Sequence, residues 1–149
     1  MSVTGDKELM KALKKLGAGA TKALRQGINA TAQQVRNTAV KSIQQVSQGE
    51  TVTRYSQGGR PYNHTASVAG DAPNTDTDAL VKSIAVEQPN DNTAFVGSGL
   101  DNPPYPLWLE FGTSKMKPRP WLQPALDANI GNLNTNISKA VQRLINERQ

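Results

Sequence analysis

Apolar residues recur at positions 9, 13, 16, 20, 24, 28, 32, 35, 39, 43 and 46, almost all three or four apart. That spacing is one stripe of an amphipathic helix and predicts a helix over 7–48, ~60 Å long at 1.5 Å per residue. Asp6 offers an N-cap or a favourable first-turn charge. Within Leu16-Gly17-Ala18-Gly19-Ala20, two glycines each cost ~1 kcal/mol relative to alanine, so a break is expected near 17–19. Much of the stripe is alanine, which admits a close neighbour but buries little. Such a helix needs a partner surface.

From Gly49 to Asp76 no period is visible, and Gly58, Gly59, Pro61, Gly70 and Pro73 punctuate the segment. An extended loop is expected there, its ring-bearing side chains being Tyr55, Tyr62 and His64. A stretch this poor in apolar residues is expected to order fully only when a neighbouring subunit covers Tyr55, Tyr62 and Val68. Thr77 is the expected cap of a short helical turn that points Leu80 and Val81 inward. Ser83–Glu87 and Thr93–Val96 alternate as two short strands, and Gln88-Pro89-Asn90-Asp91-Asn92 between them is turn chemistry, giving a β-hairpin.

Tyr105, Trp108 and Leu109 stand at i, i+3 and i+4, which suggests a short helix after Pro104 and leaves a strand open. Pro124 can sit no deeper than the fourth helical position, so the last helix should begin at or just after Pro120. It then carries Leu122, Leu126, Ile130, Leu133, Ile137, Val141 and Leu144, with Gly131 and several asparagines weakening it. The expected organisation is one domain, with 77–120 holding the turn, hairpin and aromatic segment, and 121–147 the C-terminal helix. The fold class is α+β: a small antiparallel sheet packed by a long N-terminal helix and a C-terminal helix.

Composition narrows the function. Only 36% of the 149 residues are apolar and 5% aromatic, so the core is thin and oligomerisation is a plausible source of further burial. Without cysteine there is neither a disulfide framework nor a thiolate metal site. The lone histidine, His64, excludes His-rich metal sites, and no nucleophile elbow accompanies it. It reads as a solvated loop histidine, with a hydrolase built on it as a remote option. Asp71, Asp76, Asp78 and Asp101 do not follow calcium-loop spacing and read as turn or capping residues. No cofactor is expected. No apolar run nears the ~20 residues of a membrane span, and Met1–Lys7 lacks the apolar core of a signal peptide. An intracellular, soluble protein without enzymatic activity is expected.

Charge is unevenly spread: net +6 over residues 1–48, −4 over 49–104 and +3 over 105–149. Oppositely charged regions suit association with other copies or unlike neighbours, though solvated helix faces would look the same. The pI near 9.6, with Lys7, Lys11, Lys14, Lys15, Lys22 and Arg25 on the first helix, raises non-specific DNA contact. Neither a helix-turn-helix nor a zinc finger is present.

Tyr105 to Leu126 concentrates both tryptophans and four of the nine prolines. Glu110, its one carboxylate, is expected to pair with Lys115, Lys117, Arg119 or an arginine of a neighbouring subunit. Arg119, between two prolines, suits a bidentate contact to carboxylate or phosphate, or simple exposure. Trp108, Leu109, Glu110, Phe111, Gly112 and Thr113, followed by Lys117, Pro118, Arg119, Pro120, Trp121, Leu122, Pro124, Ala125 and Leu126, resemble a known pattern. It is that of the head–tail joining (neck and tail-completion, minor tail component) proteins of long-tailed bacteriophages. Upstream, Gly70–Leu80 resembles that family's Gly-x-x-Pro stretch before Asp-Thr-Gly-x-Leu, with Asp78 where glycine is common. The resemblance implies a virion protein at the neck or upper tail, assembled in the host cytoplasm. It would form a closed ring around the DNA exit channel, six copies first and twelve second. Its partners would be connector or stopper and tail-terminator or tail-tube proteins, with DNA only non-specific in the channel and no membrane. Aromatic anchors at Trp108, Phe111 and Trp121 would fix one corner of the subunit. The alternative is a basic, non-sequence-specific DNA-binding accessory protein.

Overall fold

A computed structural model describes residues 2–4 and 17–146. The first long helix, α1 (Ala18–Gln44), begins after Gly17, whose φ of 92° only glycine adopts freely. The predicted break at 17–19 is thus the start of the described helix; Lys7–Leu16 lies outside the described residues. The apolar stripe faces inward as expected: Ala20, Leu24, Ile28, Ala32, Val35, Ala39 and Ile43 are all buried. The helix ends earlier than 48. Gln45 turns extended and Thr75 N–H donates to Ile43 C=O, so Val46, the last position of the stripe, leaves the helix and is 71% exposed.

Two antiparallel sheets follow. In the first, β1 (Ser2–Thr4) pairs with β5 (Thr93–Ser98), which pairs with β4 (Ile84–Asn90). Ile84, Ala94 and Val96 face α1, whereas Phe95 faces out. The hairpin is longer than its sequence suggests. A register shift between Glu87 and Asn90 carries β4 through Pro89, and Asn90 pairs with Thr93, leaving Asp91 and Asn92 as the turn. Helix α1 fixes that end: Gln88 Nε2 donates to Arg25 C=O, and Arg25 pairs with Asp91 at 3.2 Å.

The second sheet corrects the expectation of an extended loop over 49–76. Thr51–Tyr55 (β2) and Pro61–Thr65 (β3) form a hairpin closed by Ser56–Arg60. Its inner face is Val52, Arg54, Tyr62 and His64, so apolar alternation is too sparse to show in the sequence. Polar clasps hold it instead. The Asn74 amide accepts from Ser47 N–H and donates to the carbonyls of Ser47 and Thr65.

After Asp78 the short α2 (Ala79–Ser83) begins. Thr77 does not cap it. Asp78 itself takes the left-handed conformation, φ 58°, with Thr75 Oγ1 donating to its carboxylate and Lys82 N–H to its carbonyl. Aspartate tolerates this region better than most residues, so glycine is not required there. Past α3 (Tyr105–Phe111), the C-terminal helix is two helices rather than one: α4 (Gln123–Asn129) and α5 (Leu133–Asn146), joined by a 3₁₀ turn at Ile130–Asn132. Gly131 and the Asn129 amide, which bonds back to Ala125 C=O, interrupt the helical run.

These helices cover the face of α1 away from the sheet. At Gly27 an added Cβ would stand 2.6 Å from the Ile137 backbone, so glycine is what allows α1 and α5 to approach. A row of asparagines sets the register: Asn129 donates to Thr38, Asn132 to Gln34, and Asn136 to Thr31 and Gln34. A slip by one turn would strand the half-buried Asn129 and Asn136 groups and their partners, which costs about 1–3 kcal/mol each. The architecture is α+β, with the long helix between a small antiparallel sheet and the C-terminal helices.

Candidate functional site: the clasped aromatic segment

Helix α3 opens on Pro104 and Pro106, whose fixed φ suits a first helical turn. Its inner face, Tyr105, Pro106, Leu109 and Glu110, turns to the core. The Glu110 carboxylate is buried and fully engaged. Oε2 accepts from the N–H groups of Trp121 (2.8 Å) and Leu122 (2.9 Å), and Oε1 from that of Gln123 (2.9 Å). Those groups lead into α4, and Pro124 has no N–H to offer, so one side chain satisfies three of the donors at the helix start. A negative charge there is favoured by the helix dipole as well as by the bonds. The expected ion pair of Glu110 with Lys115, Lys117 or Arg119 is therefore not made; backbone donors are closer and need no cation.

Arg119 is also spent inside the fold. Its N–H donates to Leu109 C=O at 2.7 Å, and Nε and Nη2 both reach Ser67 C=O at 3.2 Å. Its fork thus grips a backbone carbonyl rather than a carboxylate. Trp121 is 3% exposed and its Nε1 donates to Pro106 C=O at 3.1 Å, while Leu122 is buried beside it. Five hydrogen bonds thus bind α3 to the strip 119–123.

The connection between them explains the rest of the motif. Gly112 has φ 75°, and a Cβ there would meet Met116 C=O at 2.7 Å and Pro118 Cδ at 2.9 Å. Thr113 and Met116 exchange backbone bonds, and Thr113 Oγ1 accepts from the N–H of Lys115 and Met116. Pro118 C=O accepts from Gly70 N–H, and half-buried Pro120 leads into Trp121. Lys115 and Lys117 stay exposed.

The outer face of α3 is where expectation and structure part. Leu107, Trp108 and Phe111 are 57%, 43% and 69% exposed. Trp108 and Phe111 do not anchor the core with Trp121; the inward places are taken by Leu109 and Glu110, one residue away on the helix. Three large apolar side chains on one turn form a contiguous outward surface of the kind that marks protein contacts.

Behind this segment lies a cavity of about 420 Å³ between the end of α1, residues 70–72 and the start of α4. Thr38, Ser42 and Asp71 give it a polar side, and Val46, Ala72, Pro120 and Pro124 an apolar one. Asp71 accepts from Ser47 Oγ at 2.7 Å, and Ser47 Oγ accepts from Val68 N–H.

A second polar centre lies under the β2–β3 hairpin. Asp76 takes Arg54 on one oxygen, and on the other Tyr62 OH at 2.9 Å and His64 Nδ1 at 3.6 Å. His64 is 11% exposed at its side chain, so it is not a solvated loop histidine. Hydrogen bonding to Asp76 raises the Tyr62 pKa above its ordinary 10.0, with burial and the carboxylate charge adding to it. Among the described residues no hydroxyl is hydrogen-bonded to His64 as a nucleophile would be, and no three metal-ligating side chains cluster. Asp71 and Asp78 sit at a turn and a helix start, as expected, whereas Asp76 clasps the hairpin instead.

Of the basic residues, Lys22 is exposed on α1 and Arg25 is tied to Asp91; Lys11, Lys14 and Lys15 lie outside the described residues. Among the described residues no helix is long and apolar enough to cross a membrane. Neither the α3 outer face nor the Asp76 centre could be placed from sequence, the first because one helical step decides it, the second because its partners are up to 22 residues apart. Compared with known proteins, the chain matches no family model, no curated protein and no solved structure.

Proposed function

We propose that this protein is a structural subunit of a tailed-phage neck, a ring-forming tail-completion protein that joins the tail to the DNA-filled head around the exit channel. The observation that carries this reading is the outward apolar face of α3, Leu107, Trp108 and Phe111, held rigid by the Glu110 clasp behind it. The resemblance of Glu110-Phe111-Gly112-Thr113 and Pro118–Leu126 to neck proteins supports the same role, since those residues are the parts of the clasp. Six copies are preferred and twelve second, with connector and tail proteins above and below.

Trp108 and Trp121 make a built-in test, one exposed and one buried. On assembly into rings or necks, acrylamide quenching of Trp108 should fall to the level of Trp121. Trp108→Ser should leave the melting temperature unchanged and prevent head-to-tail joining. Normal joining by that variant would remove the α3 face from the role.

A further inference from the structure

We infer that neighbouring copies of this chain meet head to tail, the α3 face of one entering the cavity at the end of α1 of the next. This rests on the ring reading and names the two surfaces that would make it. They are complementary in size, polarity and sign. Leu107, Trp108 and Phe111 project as three apolar knobs, followed directly by the exposed cations Lys115 and Lys117. The cavity of about 420 Å³ has room for a large aromatic side chain, and its walls are Val46, Ala72, Pro120 and Pro124. Val46, on that rim, is 71% exposed.

Charge fixes the polarity of the match. Asp71 stands at the cavity, where the C-terminal end of α1 adds its partial negative charge. Lys41 on the last turn of α1 is exposed and offsets this in part. Asp71 is thus the carboxylate that the lysines following the knobs would meet, and complementary potentials favour this pairing over knob against knob.

The knobs do not fill the cavity of their own chain, since they remain exposed. Both features are mounted on one rigid strip: α3 through Glu110 to Trp121, Leu122 and Gln123, and the cavity through Pro120 and Pro124. A contact between two different surfaces of identical chains is heterologous, and it propagates until rotation closes a ring.

Two variants separate the surfaces. Trp108→Ser with Phe111→Ser removes the knobs and leaves the cavity intact. Val46→Arg with Asp71→Asn turns the cavity mouth basic, and the asparagine still accepts from Ser47. All four residues are solvent-exposed, so both variants should melt with the wild type. By sedimentation, wild type should form a discrete oligomer and each variant alone should stay monomeric. An equimolar mixture of the two should give a two-chain complex and nothing larger, because only one knob–cavity pair can form. A basic-mouth variant that oligomerises like wild type would overturn the head-to-tail contact while leaving the ring role standing. So would a mixture that stays monomeric while the wild type assembles. A wild type that is monomeric both in solution and by cross-linking in particles would overturn the ring role itself.

Discussion

Trp121 and Glu110 show how differently two residues of one segment can be read. Burial of Trp121 follows from its size and its place ahead of an apolar helix face, and the structure puts it at 3% exposure. Trp121→Ala should therefore cost about 3–5 kcal/mol, measured by denaturant melts, since it opens a large cavity and frees Pro106 C=O. A loss under 1 kcal/mol would contradict that burial. For Glu110 the sequence offered nearby cations, whereas the structure offers three backbone donors eleven to thirteen residues on. A carboxylate's partner depends on where the chain returns, and spacing does not encode that. Glu110→Gln keeps one acceptor oxygen and turns an NH₂ toward the α4 donors. It should destabilise the monomer by about 2–3 kcal/mol, as loss of charge-assisted bonds does. A variant as stable as wild type would mean that water replaces the carboxylate.

Among the elements, α1 was legible because a long stripe of period 3.6 has one physical solution, and its described limits differ only where Gly17 and Gln45 stop it. Helix α3 was legible as a helix but not in which face turns out. The β2–β3 hairpin was hidden because its stability is polar, resting on Asn74 and Asp76 rather than on a buried row. Tyr62 reports on that clasp. Its raised pKa means the neutral phenol is favoured in the fold, so its contribution is complete below pH 10 and is lost as pH climbs through the higher folded value. Ultraviolet titration should find two tyrosines ionising above the ordinary range, Tyr62 through Asp76 and Tyr105 through burial, and Asp76→Asn should lower only the first toward 10. A titration in which Asp76→Asn moves neither would break the assignment.

For the whole molecule, the α+β class was readable because helical and alternating patterns occupy separate stretches of the chain. What sequence left out is how the pieces are pinned: the Gly27–Ile137 approach, the asparagine row between α1 and the C-terminal helices, and the clasp on α4. The clasp has a consequence for how copies are admitted to an assembly. Glu110 faces inward and Phe111 outward on adjacent positions, so a chain that has not seated its last helices has no fixed orientation for its sticky side chains. Only a finished subunit offers them at the correct angle. On the ring reading, the same carboxylate that completes folding acts as a proofreader, keeping half-folded copies out of a structure whose closure tolerates no defective member.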